Sequence, residues 1–153
     1  LASAESVGRY FDRPVVGRGV ASGDLDNDGL VDLVVVHRDA PVSLLRNVST
    51  NPGHWLGVRL IGSASGPTPV GARVVCRSES RTLTRWQTSG TSYLASSDPR
   101  LWFGLGSSTE VETLEISWPS GKVHRFENLP ADQILEIREE DGTINPAFPR
   151  QTP

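Results

Sequence analysis

Apolar and polar positions alternate in short runs along most of this chain, and the runs are closed by glycine, proline and hydroxyl residues. Leu56, Val58 and Leu60 fall on one side of a run whose other side holds Gly57, Arg59 and Ile61. Ala72, Val74 and Cys76 alternate with Arg73, Val75 and Arg77, and Leu114, Ile116 and Trp118 alternate with Thr113, Glu115 and Ser117. Thr84 and Trp86 share one side of the run 81–88. A period of two sends successive side chains to opposite faces, so each run reads as a half-buried β-strand with its basic residues outward. Residues 101–105, 122–126 and 134–138 supply further strands, Pro119-Ser120-Gly121 a hairpin turn, and 129–133 a single helical turn. No window carries a sustained 3.6-residue apolar period. About seven or eight short strands at this spacing predict an all-β meander closed into a β-sandwich or barrel.

Upstream the pattern differs. Residues 14–47 read as strand, loop, strand, turn, strand, with β-branched flanks at 15–20 and 30–36. The uninterrupted run Leu33-Val34-Val35-Val36 predicts a strand buried on both faces. Arg38-Asp39-Ala40-Pro41 turns into a last strand at 42–47, and the polar stretch 48–53 marks a boundary. The expected division is a small strand–loop–strand unit over 1–50, a larger β domain over 51–140, and a loosely held tail over 141–153. Residues 1–13 read as an irregular lead-in.

The loop inside the first unit carries the sharpest chemistry. Asp24, Asp26 and Asp28 occupy its first, third and fifth positions, Gly29 the sixth, Leu30 the seventh and Asp32 the ninth. Alternating carboxylates around an obligatory turn suit a hard divalent cation, since Ca²⁺ takes six to eight oxygens at about 2.3–2.6 Å. Gly29 reaches positive φ at little cost, which turns the Leu30 carbonyl inward. The formal net charge is −3 and these four aspartates carry −4, so the remainder is +1 and an empty loop repels itself. An EF-hand is excluded, because its twelfth position needs a bidentate Glu and holds Val35 here, and because the flanks are strands. The expected ligands are the side chains of Asp24, Asp26, Asp28 and Asp32 with the Leu30 carbonyl, and the expected cofactor is Ca²⁺.

Composition narrows the rest. At 153 residues, 37% hydrophobic and with a mean hydropathy of −0.27, the chain suits one good core and offers no membrane span. An acidic balance argues against nucleic acid as the main partner. There is no Met, so Leu1 is not expected to be a native translation start, and the chain reads as a processed form or a piece of something longer. Cys76 is alone and sits on the apolar side of its strand. His37, His54 and His124 lack metal-ligand spacing. No nucleophile elbow is present, and Gly104-Leu105-Gly106 lacks the third glycine of a dinucleotide loop. A non-enzyme is therefore expected. The segment 89–100, with Tyr93, Asp98 and Arg100 among hydroxyls, is a possible ligand loop with Trp86 or Trp102 as a stacking wall. Its bland reading is a turn at Asp98-Pro99 with Arg100 paired locally.

These motifs carry a resemblance. Residues 23–36 resemble an FG-GAP (VCBS) repeat, a β-propeller blade unit with a calcium loop. Gly71-Ala72-Arg73-Val74, Ser89-Gly90-Thr91-Ser92-Tyr93-Leu94, Ser97-Asp98-Pro99-Arg100-Leu101, Phe103-Gly104-Leu105-Gly106, Trp118-Pro119-Ser120-Gly121 and Phe126-Glu127-Asn128-Leu129 resemble the ASPIC and UnbV domain. The resemblance implies a calcium-binding, non-catalytic adhesion or interaction module, extracellular, cell-surface or periplasmic. Its expected partners are a protein or glycan at the cell surface and upstream propeller blades of a parent chain. The alternatives are a carbohydrate-binding module and an accessory domain of a larger enzyme.

Overall fold

The structure, a computed structural model, describes residues 9–12, 14–79 and 81–147. After a 3₁₀ turn at Arg9–Asp12 come eleven strands: β1 (Gly17–Gly23), β2 (Asp32–His37), β3 (Ser43–Leu45), β4 (His54–Ile61), β5 (Arg73–Ser78), β6 (Arg81–Trp86), β7 (Leu101–Gly106), β8 (Glu110–Ser117), β9 (Val123–Pro130), β10 (Gln133–Arg138) and β11 (Ile144–Pro146). They form a three-stranded sheet in the order β1-β2-β3 and two four-stranded sheets, β11-β10-β4-β7 and β6-β5-β8-β9. The all-β expectation holds, and the two larger sheets pack as a sandwich.

The predicted alternation builds that core. Leu56, Val58 and Leu60 of β4, Phe103 and Leu105 of β7, and Leu135 and Ile137 of β10 face Val74 and Cys76 of β5 and Leu114 and Ile116 of β8, all buried. Each such side chain contributes about 1.5–3 kcal/mol on leaving water. Trp118 joins this core, and its indole N–H donates to His124 Nδ1 at 3.1 Å.

The connections are not the simple meander expected. β4 and β5 are consecutive but lie in different sheets, and β4 pairs instead with β7 and, in parallel, with β10. The parallel register Leu135↔Val58 and Ile137↔Leu60 joins two segments far apart in sequence, which no local pattern encodes. The single helical turn expected at 129–133 is absent. β9 runs through Pro130, the chain reverses at Ala131 and Asp132, and β10 begins at Gln133. Asp132 makes this possible by taking φ +59°, a region Asp tolerates better than most residues. The tail is held further than expected, because Ile144–Pro146 pairs with β10; residues 148–153 lie outside the described residues.

The small sheet corrects a second expectation. In β2, Leu33 and Val36 are exposed and Val34 and Val35 only half-buried, so the run is covered on neither face. The pairings Val20↔Val35 and Leu33↔Leu45 put apolar groups on one face, while Ala21↔Val34 and Val34↔Leu44 put them on the other. The outer edge of β1 is closed by residues 92–98. Val20 N–H donates to Ser92 Oγ at 3.2 Å, Ser22 N–H to Ser97 Oγ at 3.1 Å, and Asp98 N–H to the Ser22 carbonyl at 2.8 Å.

Candidate metal centre

The β1–β2 connection is wound tightly by its own aspartates. Asp24, buried, accepts the N–H of Asp28 at 3.1 Å on Oδ1 and that of Gly29 at 2.9 Å on Oδ2. Burial pushes its carboxyl above the ordinary range. The two N–H groups and the Arg100 charge pull the other way, and the neighbouring Asp28 adds to the rise. Asp28 in turn accepts the Leu30 N–H at 2.8 Å. Asn27 and Gly29 both sit at positive φ, +59° and +90°. Gly29 is doubly required, because a Cβ there would lie 2.0 Å from Cε2 of Trp55.

Three of the expected ligands converge. One carboxylate oxygen from each of Asp24, Asp26 and Asp28 lies within 4.8 Å of the others, and among the described residues this is the one such cluster. Asp26 Oδ1 is buried without a hydrogen-bond partner among the described residues. Asp32 stands differently: buried, it accepts the Leu25 N–H at 3.2 Å on Oδ2 and the Asn47 N–H at 2.8 Å on Oδ1, tying the two ends of the unit together. Leu30 enters this network through its N–H. The donor set is all oxygen, which fits Ca²⁺ better than a softer metal. A cation is already drawn to the rim, since Arg46 pairs with Asp26 and approaches Asp28 Oδ2 at 3.8 Å.

The loop is also fastened to the sandwich. Arg100, at the entrance to β7, donates from Nε to Asp98 Oδ2 at 2.5 Å, from one terminal nitrogen to Asn27 Oδ1 at 2.6 Å, and from the other to the Asp24 carbonyl at 2.5 Å. Its guanidinium lies 5.0 Å from the Trp102 ring, which contacts Trp55 at 5.4 Å between centroids. One of the two readings of the sequence gave Arg100 a local pairing without naming a partner, and in the structure it pairs with Asp98. Sequence reasoning missed Asn27, Arg46 and Trp55. Asn27 was legible, since Asn next to Gly in a turn tolerates positive φ; the other two lie too far along the chain for any spacing rule.

The expected ligand loop does not form one pocket. Asp98 and Arg100 border an open cleft of about 470 Å³ walled by Ala21, Leu25, Val34 and Pro99, with Arg59 at its side. Trp102 is half-buried and lines a separate cleft of about 310 Å³ beside Gly29 and Trp55. Trp86 and Tyr93 are exposed and border neither, and Tyr93 is covered instead by Arg18, 4.5 Å from its ring. Each histidine has its own contact: His37 with Tyr10 and the Pro41 carbonyl, His54 with Asp132 at 2.7 Å, and His124 with Trp118.

A family model described as ASPIC and UnbV matches residues 62–144. Among curated proteins, cartilage acidic protein 1 of Homo sapiens is 31% identical over 86% of this chain and 21% of its own length. The Xenopus tropicalis protein of the same name is 33% identical over 84% of the chain and 21% of its length, and that of Mus musculus 32% over 86% and 21%. The chain thus spans about a fifth of the length of these relatives. No helix among the described residues is long and apolar enough to cross a membrane.

Proposed function

The chain belongs to the ASPIC and UnbV family, and we propose that it is a calcium-binding, non-catalytic interaction module acting outside the cell. The observation that carries the reading is the convergence of Asp24, Asp26 and Asp28, with a buried and unpartnered oxygen on Asp26. When bound, Ca²⁺ supplies charge neutralisation to a loop whose like charges otherwise oppose its own winding. Leu30 would add its carbonyl, and Asp32, which ties the loop ends, would complete the ring by freeing one oxygen.

The role assigned to the ion is structural. It fixes the β1–β2 connection, which Arg100 and Trp55 bind to the sandwich, so occupancy stiffens the junction between the small sheet and the large ones. We read the small sheet as one blade unit of the FG-GAP type. A sheet with apolar side chains on both faces suits a place between two neighbours, which upstream blades of a longer parent chain or a cell-surface protein would provide. The name shared by the relatives favours an extracellular setting, where free calcium is abundant. Under a carbohydrate-binding or enzyme-accessory role, the cleft beside Asp98 and Arg100 would take a small ligand with its polar groups toward those two residues and an apolar face toward Leu25, Val34 and Pro99.

The test is thermal unfolding in calcium, in magnesium and in chelator. A site that binds only the folded chain stabilises it by RT ln(1 + [L]/Kd), about 2.7 kcal/mol at a hundredfold excess over Kd, equivalent to about 5–10 °C at this size. A Tm the same in calcium and in chelator removes the structural role.

A further inference from the structure

Among the described residues most arginines fall into two groups, and Arg18 stands apart on β1, donating to the Tyr93 hydroxyl at 3.2 Å with its guanidinium over that ring. Arg38, Arg46, Arg59, Arg100, Arg125 and Arg138 each pair with a carboxylate. Arg73, Arg77, Arg81 and Arg85 are all exposed and have no carboxylate partner among the described residues. All four lie on one hairpin, β5–β6, where Glu79 is the single acidic residue between positions 73 and 86. An acidic protein has thus gathered four arginines without an ion pair among the described residues onto one ribbon that carries a single carboxylate of its own, at a cost in self-repulsion.

The register shows how the ribbon presents it. Arg73 lies opposite Trp86, Val75 opposite Thr84, and Arg77 opposite Thr82, so these side chains share the face turned away from the core. Arg73 and Arg77 stand four residues apart on that face, roughly 13 Å along the strand. Arg81 and Arg85 point to the other face of β6. Because β6 is the edge of its sheet, their long side chains reach past it, Arg81 beside Gly106 and Arg85 with its guanidinium 5.9 Å from the Phe103 ring. Trp86 closes the row at 56% exposure, its ring and N–H without a partner among the described residues. On the neighbouring strand β8, Glu115 stands opposite Val75, between Arg73 and Arg77 on the same face, and one strand farther Arg125 is neutralised by Glu127 at 3.3 Å, so on this sheet the basic surface ends at β5.

Edge protection is the competing explanation, since charge on an edge strand discourages pairing with another sheet. It accounts for Arg81 and Arg85. It does not account for Arg73 and Arg77 on the interior strand β5, nor for an exposed tryptophan, which works against solubility. We propose that the β5–β6 hairpin binds a sulfated polysaccharide. Guanidinium forks match sulfate oxygens two at a time, the Thr82 and Thr84 hydroxyls suit sugar hydroxyls, and the Trp86 ring offers a flat wall to the apolar C–H face of a pyranose. A single aromatic on an open ribbon, without interleaved stacking platforms or a groove, favours this ligand over single-stranded nucleic acid. The site is separate from the cation loop and does not depend on calcium.

The experiment uses the full chain and a size-defined heparin oligosaccharide, with fully desulfated heparin, a short DNA duplex and phosphatidylserine vesicles in parallel. Heparin is expected to bind, more weakly as salt rises, and more tightly than any of the three comparators. Arg73→Gln with Arg77→Gln, and Arg81→Gln with Arg85→Gln, should each weaken binding about tenfold or more. Trp86→Ala should weaken it about threefold to tenfold, and Arg125→Gln less than about twofold. Arginine-to-lysine versions keep charge but lose the fork; they should give an intermediate loss and serve as the test if a glutamine variant fails to fold. No binding at physiological salt, binding unmoved by the hairpin substitutions, or equal binding of desulfated heparin, DNA or vesicles would overturn the proposal.

Discussion

Glu139 shows what a single side chain settles in this molecule. Its carboxylate is fully buried just beyond β10, which by itself raises the pKa. Hydrogen bonds from Ser120 and Ser65, and the N–H groups of Ser65 and Ser63, more than offset that and hold it at about 2, below the ordinary 4.5. A group whose folded pKa lies below its unfolded value stabilises above the unfolded value and loses that contribution as pH falls through the folded one. The contribution of Glu139 should therefore be flat above about pH 4.5 and decline from there toward pH 2. Glu139→Gln should lower Tm at neutral pH and flatten the acid limb, as read by calorimetry across that range. None of this was legible beforehand. Glu139 follows a strand at a position that reads as solvated, and its partners stand on two distant loops.

At the level of elements, the fastening of the cation loop rests on Arg100. Its side chain ties Asp98 to Asn27 and to the Asp24 carbonyl, so one guanidinium links the β1–β2 loop to the start of β7. Arg100→Ala leaves the half-buried Asp98 carboxylate without its guanidinium and with only the N–H of residue 100 as a donor, a loss of about 3 kcal/mol measured by urea unfolding. Arg100→Lys should recover little, because one ammonium cannot span three acceptors in different directions. Periodicity carried the strands themselves: the buried sides of β4, β5 and β8 are those the sequence pattern assigns. It failed where pairing is non-local or where a neighbour is needed. The parallel β4–β10 register depends on contacts between remote segments. The run at Leu33–Val36 marks a strand with two apolar faces but says nothing of what covers them. Asp28 and Asp32 look alike in a motif, yet Asp28 joins the cluster while Asp32 is occupied by two backbone N–H groups.

The whole molecule combines a two-sheet sandwich, a small sheet leaning on it along β1, and opposite charge at two places: aspartates on the β1–β2 loop, arginines on the β5–β6 hairpin. The acidic loop is wound by its own backbone, fastened by Arg100 and Trp55, and left with a buried oxygen that none of the described residues satisfies. That combination makes calcium binding at this loop the central claim, and calorimetric titration with calcium tests it most directly. The intact chain should bind one calcium ion, and Asp26→Asn with Asp28→Asn should abolish the binding while leaving a folded sandwich by circular dichroism. Absence of binding at millimolar calcium, or binding that survives both substitutions, would contradict it.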